Sequence, residues 1–72
     1  MPVFKRTILT DGFAGWVMIV SFEYNGTRAD YIYEIGEGTL PERQAAAVAE
    51  RMGIERRAQM HFLRDVHLET IH

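Results

Sequence analysis

Residues 16 to 35 read WVMIVSFEYNGTRADYIYEI and hold the only Trp, all three Tyr and one of the four Phe of a 72-residue chain. At their centre, Asn25-Gly26 is the strongest short hairpin signal. A two-residue type I′ turn needs positive φ at both central positions, and Asn and Gly tolerate that best. The turn sets Phe22 opposite Ala29, Val20 opposite Tyr31, Met18 opposite Tyr33 and Trp16 opposite Ile35 on one face of the pleat. The other face pairs Glu23 with Arg28, Ser21 with Asp30, Ile19 with Ile32 and Val17 with Glu34. An apolar face and an opposite-charge pair thus come from one register, and a slip of one residue would exchange the faces.

Upstream, Val3 to Thr10 has strand character and Asp11-Gly12 marks a second turn. A two-residue loop there puts Lys5 and Thr7 on the Trp16 face. A looser loop through Phe13 brings Phe4, Arg6 and Ile8 to that face instead, and this second register is expected because it buries more apolar surface. Either one gives an antiparallel meander of three strands, about 2–10, 15–24 and 27–35.

Glu37-Gly38 ends the third strand. Thr39-Leu40-Pro41-Glu42 has capping-box spacing, with Thr39 as N-cap, Glu42 at N3 and Pro41 in the first turn. A helix is expected over about 40–52, with Ala45, Val48, Ala49 and Met52 as its apolar stripe. Gly53 followed by Ile54 fits a C′ glycine with its hydrophobic C″ residue. Ile54, Ala58, Phe62 and Val66 keep a spacing of four, widened by Leu63, which suits a second helix over about 54–64. The alternation in Val66-His67-Leu68-Glu69-Thr70 reads as a short terminal strand, 66–71, able to join a sheet edge. The expected fold class is α+β in a single domain, 1–72, with two C-terminal helices packed on a three-stranded antiparallel sheet.

A chain this short buries only about 60% of the surface its unfolded form exposes, so small scaffolds lean on disulfides, a metal or oligomerisation. With no Cys, disulfides and Cys-based zinc sites are excluded, and the composition fits a reducing compartment. Self-association is the remaining route, and a homodimer is expected. There is no signal-peptide h-region and no apolar run long enough to span a bilayer, so a cytoplasmic protein without membrane contact is expected.

The net charge is −2. Residues 1–40 set Lys5, Arg6 and Arg28 against Asp11, Glu23, Asp30, Glu34 and Glu37, while residues 41–72 balance five Arg with five acids. A phosphate-binding surface needs clustered positive charge, so this balance argues against nucleic acid as the first partner.

Catalytic, metal and cofactor motifs find no support. Ser21 and the threonines have no glycine elbow, and the Gly36-Glu37-Gly38 stretch lacks the full glycine pattern of a phosphate loop. His61, His67 and His72 lack the i, i+4 spacing that presents two imidazoles together on a helix. No enzyme activity, cofactor or metal is expected. A small metal-free ribonuclease using His61 with Arg56 or Arg57 is the weakest of three readings.

Val48-Ala49-Glu50-Arg51-Met52-Gly53-Ile54 followed by Phe62 resembles the core of a helix-turn-helix. That resemblance implies a DNA-binding regulator with Arg56, Arg57 and Arg64 at phosphates or guanine edges. The leading reading is a non-catalytic protein-interaction module. Its contact surface is the second sheet face, with Val17, Ile19, Ile32 and Glu34 at the centre and Arg28 and Asp30 at the rim. In size and charge the chain is similar to phage and plasmid inhibitors, including anti-CRISPR proteins, which work by occluding a partner.

Overall fold

The computed structural model describes residues 3–12, 15–37 and 40–71, with side chains described for all of these except 37 and 67–71. Three strands, β1 (Phe4–Asp11), β2 (Gly15–Tyr24) and β3 (Thr27–Glu37), precede two helices, α1 (Glu42–Met52) and α2 (Ile54–Ile71). The sheet is antiparallel in the order β1-β2-β3, so each strand lies beside its neighbour in sequence. This is the α+β meander with two C-terminal helices that the sequence pattern implies.

The central hairpin follows its turn chemistry. Asn25 has φ 52° and Gly26 φ 78°, the left-handed pair that a type I′ turn demands. Phe22 faces Ala29, Ile19 faces Ile32 and Val17 faces Glu34, as the two-residue turn requires. The ladder departs from expectation only at its far end. A bulge between Trp16 and Val17 sets Gly36, not Ile35, opposite Trp16 and leaves Ile35 as the additional residue. Ile35 turns into the core, with 6% of its surface exposed.

The β1–β2 register differs from the one favoured by apolar content. Thr7 lies opposite Val20, Ile8 opposite Ile19 and Leu9 opposite Met18. Lys5, Thr7 and Leu9 therefore share the helix-covered face, and Phe4, Arg6 and Ile8 occupy the outer one. The physical reason is the length of the connection. Asp11 pairs with Trp16, and the Gly12 amide donates to the Gly15 carbonyl at 2.6 Å, so four residues rather than two or three lie between the last paired residues. The inward place of Thr7 carries a cost, because its hydroxyl is buried with no hydrogen-bond partner.

Both helices cover the same face of the sheet. Met18, Val20, Phe22 and Ile35 meet Ala45 and Ala49 of α1 and Ile54, Ala58 and Phe62 of α2. Small residues at 45 and 49 let α1 approach closely. Phe62 stacks on Phe22 with ring centroids 4.7 Å apart and planes 10° apart, and Tyr31 meets the same Phe22 edge-on at 6.1 Å. Trp16 serves the helical layer differently. Its indole N–H donates to the Leu40 carbonyl at 2.6 Å and ties the chain entering α1 to β2.

The helix ends correct several sequence expectations. Thr39, expected as N-cap, lies outside the described residues. Pro41 occupies the cap position with φ −59° and ψ 146°, and among the described residues no side chain caps α1. Proline suits this place because its fixed φ and missing N–H cost nothing at a helix entrance. Gly53 takes the left-handed conformation expected of it, φ 64° and ψ 37°, and its amide reaches back to Glu50. Met52 leaves the stripe assigned to it and is exposed, as is Leu63.

α2 continues through residues 66–71, where the alternating pattern suggests a strand. Val66 stays half-buried against the core, extending the spacing of four from Ile54, and propagating a helix costs far less than starting a new element.

The stack of Phe62 on Phe22 predicts a sharp contrast within one helix. Phe62→Ala should lower unfolding free energy by about 3–5 kcal/mol, the usual cost of an aromatic cavity. Met60→Ala, on the exposed side of α2, should stay within about 0.5 kcal/mol of the wild type. Urea denaturation followed by circular dichroism measures both.

Candidate interaction surface

With both helices on one side, nothing among the described residues covers the other side of the sheet, and the register arranges it in cross-strand rows. The central row is Ile8–Ile19–Ile32, three isoleucines side by side across all three strands. Next to it runs Arg6–Ser21–Asp30, and on its other flank Thr10–Val17–Glu34. Phe4–Glu23–Arg28 closes the end nearest the Asn25-Gly26 turn.

Exposure is high where a single sheet face meets water. Ile32 exposes 67% of its surface, Phe4 66% and Ile8 36%. Val17 and Ile19 are half-buried by these neighbours. Val17, Ile19, Ile32, Glu34, Arg28 and Asp30 therefore share one face, where the hairpin register places them. Phe4, Arg6 and Ile8 belong to it too and were missed, because the favoured β1 register turned them inward. The signal that finds them is the pairing of Leu9, rather than Ile8, with the buried row of Met18.

The rim is charged on both sides. Arg28 Nε donates to Asp30 Oδ1 at 3.2 Å, an exposed pair of small net worth. The hydroxyl of Ser21, across the strand pair, and then the Arg28 guanidinium hold the Asp30 carboxyl below the usual carboxylate range. Asp30 is therefore a fixed negative charge at neutral pH. Phe4, Arg6, Ser21, Glu23 and Arg28 surround a shallow hollow of about 230 Å³ at the turn end of this face.

The surface of α2 holds the other candidate residues. Arg56, Arg57 and Arg64 are all exposed. Arg57 and Arg64, seven positions apart, lie on one side of the helix. Yet only Gly53 separates α1 from α2, where a helix-turn-helix uses a turn of three or four residues. The apolar stripe of α2 is also spent on the sheet, through Phe62 and Phe22.

His61 sits among neighbours without joining a cleft-bound acid–base pair. Its ring lies beside Tyr31 with centroids 6.1 Å apart, and Arg64 Nη2 is 3.3 Å from its Nδ1. The Tyr31 hydroxyl donates to the Asp65 carboxylate, which ties β3 to α2. Burial and then this hydrogen bond push the Tyr31 phenol up to about 12. That shift moves Tyr31 away from the neutral range where general acid–base catalysis works best. His67 and His72 lie outside the described side chains. Among the described residues no helix is long and apolar enough to cross a membrane.

No protein-family model, no curated protein and no solved structure matches the chain.

Tyr31 supplies a pH prediction. Its folded value, about 12, lies above its ordinary value of 10.0, so the neutral phenol's stabilisation is fully present below pH 10 and lost between pH 10 and 12. Urea midpoints recorded from pH 8 to 12 should fall across that window in the wild type. Tyr31→Phe should start lower and fall less steeply.

Proposed function

We propose that the protein is a small non-catalytic interaction module that docks the bare face of its sheet onto a partner protein. The observation that supports this most is the unbroken isoleucine row, Ile8–Ile19–Ile32, left in water by a fold that puts both helices on the opposite side. Scattered exposed aliphatics are ordinary on protein surfaces, whereas a contiguous apolar strip rimmed by charge is what interfaces present.

Charge favours protein over nucleic acid on this face. Arg6 and Arg28 stand against Glu23, Asp30 and Glu34, a balance that repels a polyanion but suits a mixed protein rim. A module of this kind acts by occlusion, covering a surface its partner needs, as a regulator or inhibitor does. Aromatic Phe4 and the flat isoleucine row supply the apolar centre, and Arg28 and Asp30 the polar border.

The test replaces single outward side chains. Ile32→Asp and Ile19→Asp should leave the far-ultraviolet circular dichroism unchanged, because neither residue belongs to the helix-covered core. Each should weaken partner retention by immobilised protein at least about tenfold, equivalent to about 1.4 kcal/mol. Met60→Asp, on α2, should retain the same proteins as the wild type. Equal retention by wild type and Ile32→Asp overturns the reading.

A further inference from the structure

We propose that the bare sheet face takes a second copy of this chain, with a two-fold axis running parallel to the strands. This rests on the reading of that face as a protein-docking surface and names its occupant. The argument is one of self-complementarity, which an isologous interface requires of a single patch.

Rotation about an axis parallel to the strands lays β1 of one copy over β3 of the other and β2 over β2, keeping each cross-strand row over itself. The row Arg6–Ser21–Asp30 then meets its reverse. Arg6 of each copy faces Asp30 of the other, giving two reciprocal ion pairs. The isoleucine row stacks on itself, Ile8 over Ile32 twice and Ile19 over Ile19. At the turn end, Phe4 falls over the Arg28 guanidinium of the second copy, beside the hollow these residues line, a geometry that suits a cation–π contact. Val17 meets Val17, and Thr10 can donate to Glu34. Glu23 over Glu23 is the one unfavourable meeting, at the exposed rim where Arg28 lies across the strand pair.

The other simple arrangement fails on charge. An in-plane axis perpendicular to the strands lays β3 over β3 and reverses the rows. With isoleucine kept over isoleucine, Asp30 then faces Glu34 and Arg6 faces Thr10, so like charges meet and Arg6 has no partner. An axis along the strands also fits aligned sheet packing, since two sheets inclined by about 30° have a two-fold direction midway between their strands.

Size sets the strength. Three strands about 4.8 Å apart and four rows about 6.8 Å apart make a face of roughly 14 by 27 Å. Two such faces amount to about 800 Å² in projection, below the roughly 1,200 Å² of stable specific interfaces and in the range of weak, transient contacts. The dimer is therefore concentration-dependent, and it shields the apolar area a chain without disulfides leaves exposed.

Sedimentation equilibrium of the full chain, up to about 1 mM, tests the proposal. Wild type should show a reversible monomer–dimer equilibrium. Arg6→Asp and Asp30→Arg should each weaken it at least about tenfold, the first by facing Asp with Asp and the second by facing Arg with Arg. The decisive arm mixes the two variants. Equimolar Arg6→Asp and Asp30→Arg chains place opposite charges at both reciprocal positions, so a heterodimer should form with affinity within about threefold of wild type. The double variant Arg6→Asp/Asp30→Arg should recover likewise, and circular dichroism confirms that each variant folds.

A wild type that stays monomeric throughout overturns the second copy as occupant. Partner retention lost on Ile32→Asp would in that case leave the docking reading standing. A dimer that ignores both charge reversals and Ile32→Asp is seated elsewhere and overturns the second copy as occupant of this face. Equal partner retention by wild type and Ile32→Asp overturns the docking reading itself. Variants that weaken the dimer yet fail to pair on mixing overturn the proposed axis.

Discussion

The left-handed backbone at Asn25 and Gly26 sets which way the side chains of β2 and β3 point, as far as the bulge at Trp16. A two-residue turn allows one pairing of β2 with β3, and pleat alternation then sends Met18, Val20 and Phe22 to one face and Val17, Ile19 and Ser21 to the other. The helices can settle only where Phe22 is. Phe62 stacks on it, Tyr31 packs edge-on against it, and Ala45 and Ala49 bring α1 down beside β3. The bare isoleucine row is the complement of that choice. In β2 and β3, core and outer surface are two consequences of one turn.

Legibility in the sequence follows the range of the forces involved. The central hairpin is readable because its register depends on two adjacent residues whose φ preference is intrinsic. The β1 register is not, because it depends on how four residues cross from Asp11 to Trp16. Apolar content alone favours Ile8 inward, and the fold instead accepts a buried Thr7 hydroxyl and turns Leu9 in. The same division appears in the helices. Gly53 is readable from local chemistry, while the length of α2 is not, since the alternation after Val66 competes with a helix already under way. The outer face was legible in its β2 and β3 residues. Its β1 portion, Phe4, Arg6 and Ile8, inherited the register error.

Two layers of structure make this outer face unavoidable. The molecule measures 44 by 19 by 19 Å, and a thickness of 19 Å holds one sheet and one layer of helices. A three-stranded sheet has two faces, and helices that follow one another through a single glycine can reach only one of them. The polar contacts reinforce this layering. Lys5 Nζ reaches Glu55 at 2.6 Å, Tyr31 reaches Asp65, and Trp16 reaches Leu40, all three on the helical side. Lys5 and Glu55 are both half-exposed, so their pair orients β1 against α2 more than it stabilises it. The outer face is left with side chains that satisfy one another only in part.

Because the three strands precede both helices in the chain, the hairpin leaves the ribosome before anything that can cover it. At about 5–20 residues per second, roughly 2–7 s separate synthesis of Gly36 from that of Ile71. Until both helices are clear of the ribosome, Met18, Val20 and Phe22 lack their cover on one side, and Ile8, Ile19 and Ile32 face outward on the other. The nascent sheet is then sticky on both sides, with two open strand edges. Arg6, Glu23, Arg28, Asp30 and Glu34, spaced along these strands, are charged interruptions of the kind that disfavour edge-to-edge association of apolar strands.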